Sequence, residues 1–298
     1  MHVLLAGASG MIGTALATAL RERGDTVSTL VRRAPADPYE HRWDPASGQL
    51  DPDVLIDIDA VIGLSGAPVA DLPWTAARRR RIMESRVGAT RTLAAAINAS
   101  RGAGTGPETF ISASGVNAYG NARPGEILTE DSDTRRQGFL SEVVRAWEGA
   151  ALEARAGGTR VALLRSGIVT GRGGAFDRIG TLARLGLAGP IGDGHNVWPW
   201  ISLRDEVRAV LHILDRGLDG PVNLVGPTRA TSDEAIRAVA QHLRRPYWLP
   251  APRWAVRATL HDAADDLILV DLTATPKKLT DSGFTFTDTT IEQALATD

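Results

Sequence analysis

Three glycines stand three residues apart near the start of the chain, at Gly7, Gly10 and Gly13 in the segment GASGMIG. The segment follows an apolar run and precedes a run with helical periodicity, which is the context in which this spacing binds a dinucleotide. Gly7 would allow a tight turn, Gly10 the close approach of a pyrophosphate and Gly13 the close packing of helix against strand. Free N–H groups at the start of the helix would bind the phosphates. We predict a dinucleotide site here; the alternative is an ordinary strand–helix turn.

The end of the second apolar run, STLVRR, indicates which dinucleotide binds. An acidic residue at this position would bind both ribose hydroxyls and favour NAD. Arg32 and Arg33 stand there instead, and a guanidinium matches a 2′-phosphate in geometry and charge. We therefore predict NADP(H) as the cofactor; the alternative is a solvated arginine pair at a strand end. The predicted cofactor site also includes the loop residues Ser9, Met11 and Ile12.

Composition limits the classes of function that remain. The net charge of −2 provides no field that would attract nucleic acid or an acidic membrane surface, and the arginine run at 78–81 is typical of a solvated helix face. The absence of cysteine excludes disulfides and thiolate catalysis. The histidines lack metal-ligand spacing, so we expect no metal. We find no signal peptide and no apolar stretch long enough to span a membrane, and we expect a cytoplasmic protein.

The elements that must position these residues alternate along the first 170 residues. Apolar runs typical of strands cover residues 2–6, 26–31, 60–65, 109–114 and 160–165. Helical patterns cover residues 11–23, 75–99 and 139–156. This alternation predicts an α/β fold with a parallel, doubly wound sheet, and the nearly continuous apolar character of the strands fits a sheet covered on both faces.

The pattern changes after Gly171, where a glycine-rich segment begins. Later elements are predicted at residues 205–217 (helix), 221–226 (strand), 231–244 (helix) and 289–296 (helix). We predict an NADP(H)-binding domain of residues 1–172, to which residues 200–226 return. Residues 173–199 and 227–298 would form a smaller C-terminal substrate lobe over the carboxyl ends of the strands.

Four further segments carry a family resemblance. They are ISASGVNAYG (111–120), WTAARRRRIMESRVGATRTL (74–93), the glycine-rich tract of residues 163–207 and PKKLTDSGFTFTDTTIEQAL (276–295). With the glycine loop, they make the chain similar to the short-chain dehydrogenase/reductase superfamily. Within it, the chain resembles an atypical extended branch, the SulA-family nucleoside-diphosphate-sugar epimerase-like proteins, which are related to NAD-dependent epimerases and dehydratases. The resemblance implies a Rossmann-like domain with a C-terminal substrate lobe.

The resemblance also implies further cofactor contacts. A segment after the fourth strand would pass under the adenine and ribose, Arg86 would face the cofactor, and Ile168 would approach the nicotinamide. Ser112, in the strand that ends at 114, is assigned to the same site. The adenine-side segment consists of Leu64, Ser65 and Gly66. The sequence departs from the family here, because LSG stands where LAG is more frequent.

The usual proton-transfer pair of the superfamily, Tyr-x-x-x-Lys, is absent. The corresponding helix reads GFLSEVVRAWEGA, and its WE pair sets the alignment. Phe139 or Leu140 then stands in the place of the tyrosine, and Val143 or Val144 in the place of the lysine. The lysine would lower the pKa of the tyrosine for proton transfer, so the usual route is closed to this chain.

Two residues remain as catalytic candidates. Ser114 matches the superfamily's catalytic serine, which binds a substrate oxygen, and Tyr119 could donate a proton; the alternatives are a strand-end hydroxyl and a pocket wall. His195 in GDGHN could reach over the site or lie exposed in its loop, and Trp198 and Trp200 could stack on a substrate or pack between lobes.

The leading hypothesis is an NADP(H)-dependent oxidoreductase or epimerase-like enzyme that acts on a small molecule. The alternative is a non-catalytic NADP(H)-binding sensor or scaffold. Both a monomer and a homodimer are compatible with the sequence.

Overall fold

The computed structural model of the protein describes residues 1–134 and 137–297. Its central sheet has seven strands: β1 (His2–Ala6), β2 (Thr26–Val31), β3 (Glu40–Arg42), β4 (Ala60–Gly63), β5 (Thr109–Ala113), β6 (Arg160–Ser166) and β9 (Gly220–Leu224). Their order is β3-β2-β1-β4-β5-β6-β9, and each pairing is parallel. A small parallel pair, β7 (Ile168–Val169) and β8 (Trp200–Ile201), lies outside this sheet. The predicted Rossmann-like α/β fold is confirmed.

The described ranges contain nine α-helices: α1 (Met11–Glu22), α2 (Ala76–Gly102), α3 (Phe139–Leu152), α4 (Ala175–Arg184), α5 (Leu203–Arg216), α6 (Ser232–His242), α7 (Arg253–Leu260), α8 (Lys277–Asp281) and α9 (Ile291–Ala296). Side chains of β1 alternate between the two faces. Val3 and Leu5 join a core with α1 and α5, whereas Leu4 joins a core with α2. Both faces are therefore covered, which explains the apolar runs read from the sequence.

A separate core forms the C-terminal lobe. It unites α4, α6 and α9 with the buried rings of Trp198 and Trp200, which are 3% and 1% exposed. Both rings pack inside this core, not between lobes as one interpretation had it, and they leave little surface on which a substrate could stack. Leu279 and Phe284 pack instead in the sheet core with α1 and α5, so part of the predicted lobe segment lies on the sheet.

Two sheet features were not predicted. Strand β3 is only three residues long and polar, and the β7–β8 pair has two residues in each strand.

None of the helices in the described ranges is long and apolar enough to cross a membrane. No group of three His, Cys, Asp or Glu side chains suited to a metal ion occurs among the described residues.

Candidate functional site

The glycine loop joins β1 to α1 at the carboxyl edge of the sheet. Gly7 has φ +89°, and a Cβ there would lie 2.8 Å from the carbonyl carbon of Leu64. At Gly13 a Cβ would lie 2.2 Å from the Gly7 carbonyl oxygen. At Gly10, in contrast, a Cβ would meet only that same oxygen, at 3.5 Å. Gly7 and Gly13 thus allow close packing of the loop against neighbouring backbone, and Gly10 leaves the outer side of the loop open to a ligand.

The first turn of α1 faces this open side. Gly10 is the N-cap residue and provides no side-chain hydrogen bond to the turn. Ser9 is exposed beside it, while Met11 and Ile12 are half-buried against the sheet core. A Cβ at Gly171 would lie 2.9 Å from the Met11 sulfur, so the turn after β7 also reaches this loop. An uncapped helix start of this kind binds anions through its free N–H groups.

The segment after β4, which contains Gly66, packs against Arg86 of α2. A Cβ at Gly66 would lie 3.1 Å from Arg86 Cζ, so the guanidinium lies directly against this segment. Arg86 donates to the carbonyl oxygens of Ala67 and Ile82, at 3.0 and 3.1 Å, and its guanidinium lies 5.2 Å from the ring centroid of Trp147. It pairs with no carboxylate in the described residues.

Burial, with a smaller contribution from the nearby charge of Arg78, lowers the pKa of Arg86 to about 10. A buried charge without a counter-ion is unfavourable. Arg86 is thus a buried cation that an anion bound at this segment would stabilise.

The two arginines after β2 have different surroundings. Arg33 donates to both carboxylate oxygens of Glu40, at 2.6 and 2.5 Å, and this bond lowers the pKa of Glu40. Arg32 is exposed and has no hydrogen-bond or ion-pair partner in the described part of the chain. Of the predicted pair, Arg32 is the one with a free guanidinium.

Two other predicted cofactor residues lie deeper. Ser112 is 0% exposed, and its hydroxyl donates to the Ala113 carbonyl oxygen at 3.1 Å, so the side chain has no surface for a ligand. Ile168 is half-buried and packs against the core of the lobe, while its backbone N–H donates to the Pro199 carbonyl oxygen at 2.7 Å.

Ser114 is the first member of a buried polar network. Its hydroxyl donates to Glu148 Oε1 at 2.6 Å. Arg165 donates to both oxygens of that carboxylate, from Nε at 2.8 Å and from Nη2 at 2.9 Å. Burial alone would lower the pKa of Arg165, but the Glu148 carboxylate outweighs it and raises that pKa. Glu148 served above only to align the helix and was not predicted as a site residue. The sequence did contain a signal for the buried ion pair, because Glu148 and Arg165 are charged residues inside apolar patterns.

Tyr119 lies at the other end of this network and is 0% exposed. Its hydroxyl donates to Asn223 Oδ1 at 2.7 Å and accepts from Arg165 Nη1 at 3.0 Å. Burial raises the pKa of Tyr119 to about 12. The predicted proton donor therefore has no exposed surface, and both of its hydrogen-bonding directions are used inside the protein.

A cavity of about 530 Å³ separates the loop after β5 and the start of α3 from the lobe. Residues that line it include Asn117, Leu140, Ser141, His195, Arg257 and Asp266. One wall therefore carries the apolar Leu140, which with Phe139 is one of the two candidates for the position of the missing tyrosine. The Asp266 carboxylate accepts from the backbone N–H of Leu140 at 2.9 Å, and burial raises the pKa of Asp266.

Comparison with known proteins identifies the family. The model of the NAD-dependent epimerase/dehydratase family matches residues 3–226, and that of a domain of unknown function, DUF1731, matches residues 251–297. The chain belongs to the NAD-dependent epimerase/dehydratase family. The family resemblance read from the sequence is thereby confirmed.

Relatives within this family match nearly the whole chain. The epimerase family protein ML0860 of Mycobacterium leprae is 40% identical over 99% of this chain and 94% of its own length. The human epimerase family protein SDR39U1 is 33% identical over 96% of this chain and 95% of its own length. The crystal structure of human SDR39U1 (isoform 2) with NADPH matches with a TM-score of 0.87 and 30% identity, over 99% of this chain and 98% of that one.

Proposed function

We propose that this protein is an NADP(H)-dependent oxidoreductase or epimerase-like enzyme that acts on a small molecule. The glycine loop carries the proposal. Backbone atoms leave no room for a side chain at Gly7 or Gly13, whereas the space outside Gly10 is open. That arrangement suits a pyrophosphate placed against the start of a helix. The NADPH in the crystal structure of the human relative supports the same choice of cofactor.

Several residues would hold the dinucleotide. The first turn of α1 would bind the pyrophosphate through N–H groups of Met11 and Ile12, with Ser9 beside them, and Arg86 would supply the counter-charge. Arg32 would bind the 2′-phosphate, because Arg33 is held by Glu40. The segment Leu64–Gly66 would pass beneath the adenine and ribose, and Ile168 would lie beside the nicotinamide.

The bound cofactor would supply or accept a hydride at the nicotinamide ring. The substrate would lie in the cavity between the sheet domain and the lobe, with Ser114 at the adjacent end of β5. We assign no proton transfer to Tyr119, because its hydroxyl is buried and bonded to Asn223. A proton would pass instead to ordered water or within the substrate.

A second candidate function, a dinucleotide-binding sensor without turnover, is favoured by one observation. Leu140 brings an apolar side chain to the cavity wall, and the family resemblance puts either Phe139 or Leu140 in the place of the superfamily's tyrosine. Incubation of the NADPH-bound protein with aldehydes, ketones, quinones and activated alkenes separates the two. Oxidation of NADPH supports the enzyme, and tight binding without oxidation supports the sensor.

The cofactor site itself is tested by Gly10→Val. The added side chain would occupy the open side of the loop, so NADPH binding, followed by fluorescence titration, should be abolished while the fold is retained. Gly149→Val is the matched control, because Gly149 is exposed on α3 and a Cβ there meets no atom within 4 Å. Normal binding by Gly10→Val would refute the dinucleotide site.

A further inference from the structure

The proton of the Ser114 hydroxyl is already committed within the protein. Ser114 Oγ lies 2.6 Å from Glu148 Oε1, and both oxygens of Glu148 also accept from Arg165. A carboxylate in a bidentate pair with a guanidinium is ionised and can only accept hydrogen bonds. Ser114 must therefore be the donor in its bond to Glu148.

The acceptor positions of the Ser114 hydroxyl remain for a ligand, because no hydrogen bond to its oxygen occurs in the described residues. A hydroxyl has one donor proton and two acceptor positions. Exposure within the network is greatest at this end: Ser114 is 9% and Glu148 is 8% exposed, Arg165 is 5% exposed, and Tyr119 and Asn223 are 0% exposed. Ser114 also directly precedes the loop that supplies Asn117 to the cavity wall.

We infer that Ser114 offers a ligand a hydrogen-bond acceptor and not a donor. The ligand group that it recognises is then itself a donor, either the carboxamide NH₂ of the nicotinamide or the hydroxyl of an alcohol substrate. This inference rests on the proposed function and deepens it. A ketone or aldehyde oxygen would face a lone pair and gain no hydrogen bond. Glu148 is a positioning residue that acts through Ser114.

Dinucleotide affinities test whether the donor is the carboxamide NH₂ of the nicotinamide. NADP⁺ is compared with its 3-acetylpyridine analogue, in which a methyl group replaces the amide NH₂, by quenching of tryptophan fluorescence. The unmodified chain should bind NADP⁺ about fivefold more tightly, the effect of one neutral hydrogen bond. Ser114→Ala should remove this preference, and Ser114→Thr should retain it. Ser112→Ala is the matched control, because the Ser112 hydroxyl bonds only the Ala113 carbonyl oxygen in the described residues.

An alcohol and its ketone test the second source. With NADP⁺ saturating, 1-phenylethanol and acetophenone are titrated into the same variants. A preference for the alcohol that depends on Ser114 supports the inference, with the hydroxyl as the donor. Glu148→Leu removes the carboxylate that accepts the Ser114 proton, so this change should abolish whichever preference is found. If the Glu148 variant does not fold, Ser114→Ala is sufficient for the test, because the Ser114 change leaves the Glu148–Arg165 pair intact.

The outcomes separate the inference from the function on which it rests. Absence of any dinucleotide binding overturns the proposed function and the inference with it. Dinucleotide binding without a Ser114-dependent preference for a donor in either titration overturns the inference alone. A Ser114-dependent preference for acetophenone over the alcohol also overturns it.

Discussion

Arg33 donates two hydrogen bonds, of 2.6 and 2.5 Å, to the carboxylate of Glu40. The adjacent Arg32 is exposed and has no partner in the described residues. Two arginines that look equivalent in the sequence therefore differ in what they can offer a ligand. A guanidinium that already holds a carboxylate must give up that pair to bind a phosphate.

The first prediction follows from this difference. Arg32→Ala should weaken NADPH binding by about 1.5–3 kcal/mol, the range for a hydrogen bond to a charged group, and should leave NADH binding unchanged. Arg33→Ala should change NADPH binding much less. Fluorescence titrations of both dinucleotides measure these effects. Equal affinities for NADPH and NADH in the unmodified chain would contradict the assignment of the 2′-phosphate contact.

The second prediction concerns the buried charge of Arg86. Because burial lowers the pKa of Arg86 to about 10, the folded protein holds this cation unfavourably when no anion is bound. Arg86→Met should raise the free energy of unfolding without cofactor, by about 1–3 kcal/mol. The same change should weaken NADPH binding at least about tenfold.

Urea denaturation and NADPH titration test both effects of Arg86→Met. Arg80→Met is the control, because Arg80 is exposed on the same helix. Lower stability together with unchanged NADPH binding would show that Arg86 serves the fold and not the cofactor.

The third prediction assigns Tyr119 to the fold. Tyr119→Phe leaves Asn223 Oδ1 and Arg165 Nη1 without their buried partner, and should lower the free energy of unfolding by about 1–3 kcal/mol. NADPH binding should not change. Tyr39→Phe is a suitable control because Tyr39 is 55% exposed. A variant of normal stability that has lost NADPH oxidation would return Tyr119 to the chemistry.

Local patterns explain which parts of the fold were predictable. The glycine loop and α1 were found because their signals lie within a few adjacent residues. The start of α6 was also predicted, and Thr231 and Glu234 form a reciprocal cap there. Strand β3 was missed because Glu40, His41 and Arg42 lack the apolar run by which the other strands were read.

The candidate site was less predictable because its contacts join distant parts of the chain. Ser114 and Glu148 are 34 residues apart, and Tyr119 and Asn223 are 104 residues apart. No local pattern records which hydroxyl meets which carboxylate across a sheet. Position along β5 correctly placed Ser114 at a strand end, but only the folded arrangement shows where its proton points.

The fourth prediction uses Glu206, which is 1% exposed on α5. Its Oε1 accepts from Ser166 at 2.6 Å, and its Oε2 has no partner in the described structure. Burial raises the pKa of Glu206 from 4.5 to about 7. The folded state therefore binds a proton that the unfolded state has lost between these values, so stability should fall as pH rises through this range.

Denaturation by urea at pH 5 and pH 8 measures the effect. Stability should be lower at pH 8, by up to about 3 kcal/mol for this group, and Glu206→Gln should remove most of that dependence. Glu142→Gln, at an exposed position of α3, should leave the dependence unchanged. A pH dependence that survives Glu206→Gln would assign it to another group.

The start of α3 has a consequence for exchanging domains between relatives. Its N-cap residue, Gly138, provides no side-chain cap, and the Leu140 N–H is bound by Asp266, 126 residues away in the sequence. The lobe thus completes a helix that belongs to the sheet domain and carries Glu148. A chimera that joins this sheet domain to a foreign lobe should keep the cavity wall only if the donor supplies a carboxylate at this position. Exchange of the lobe without this carboxylate should therefore disturb the start of α3 as well as the lobe itself.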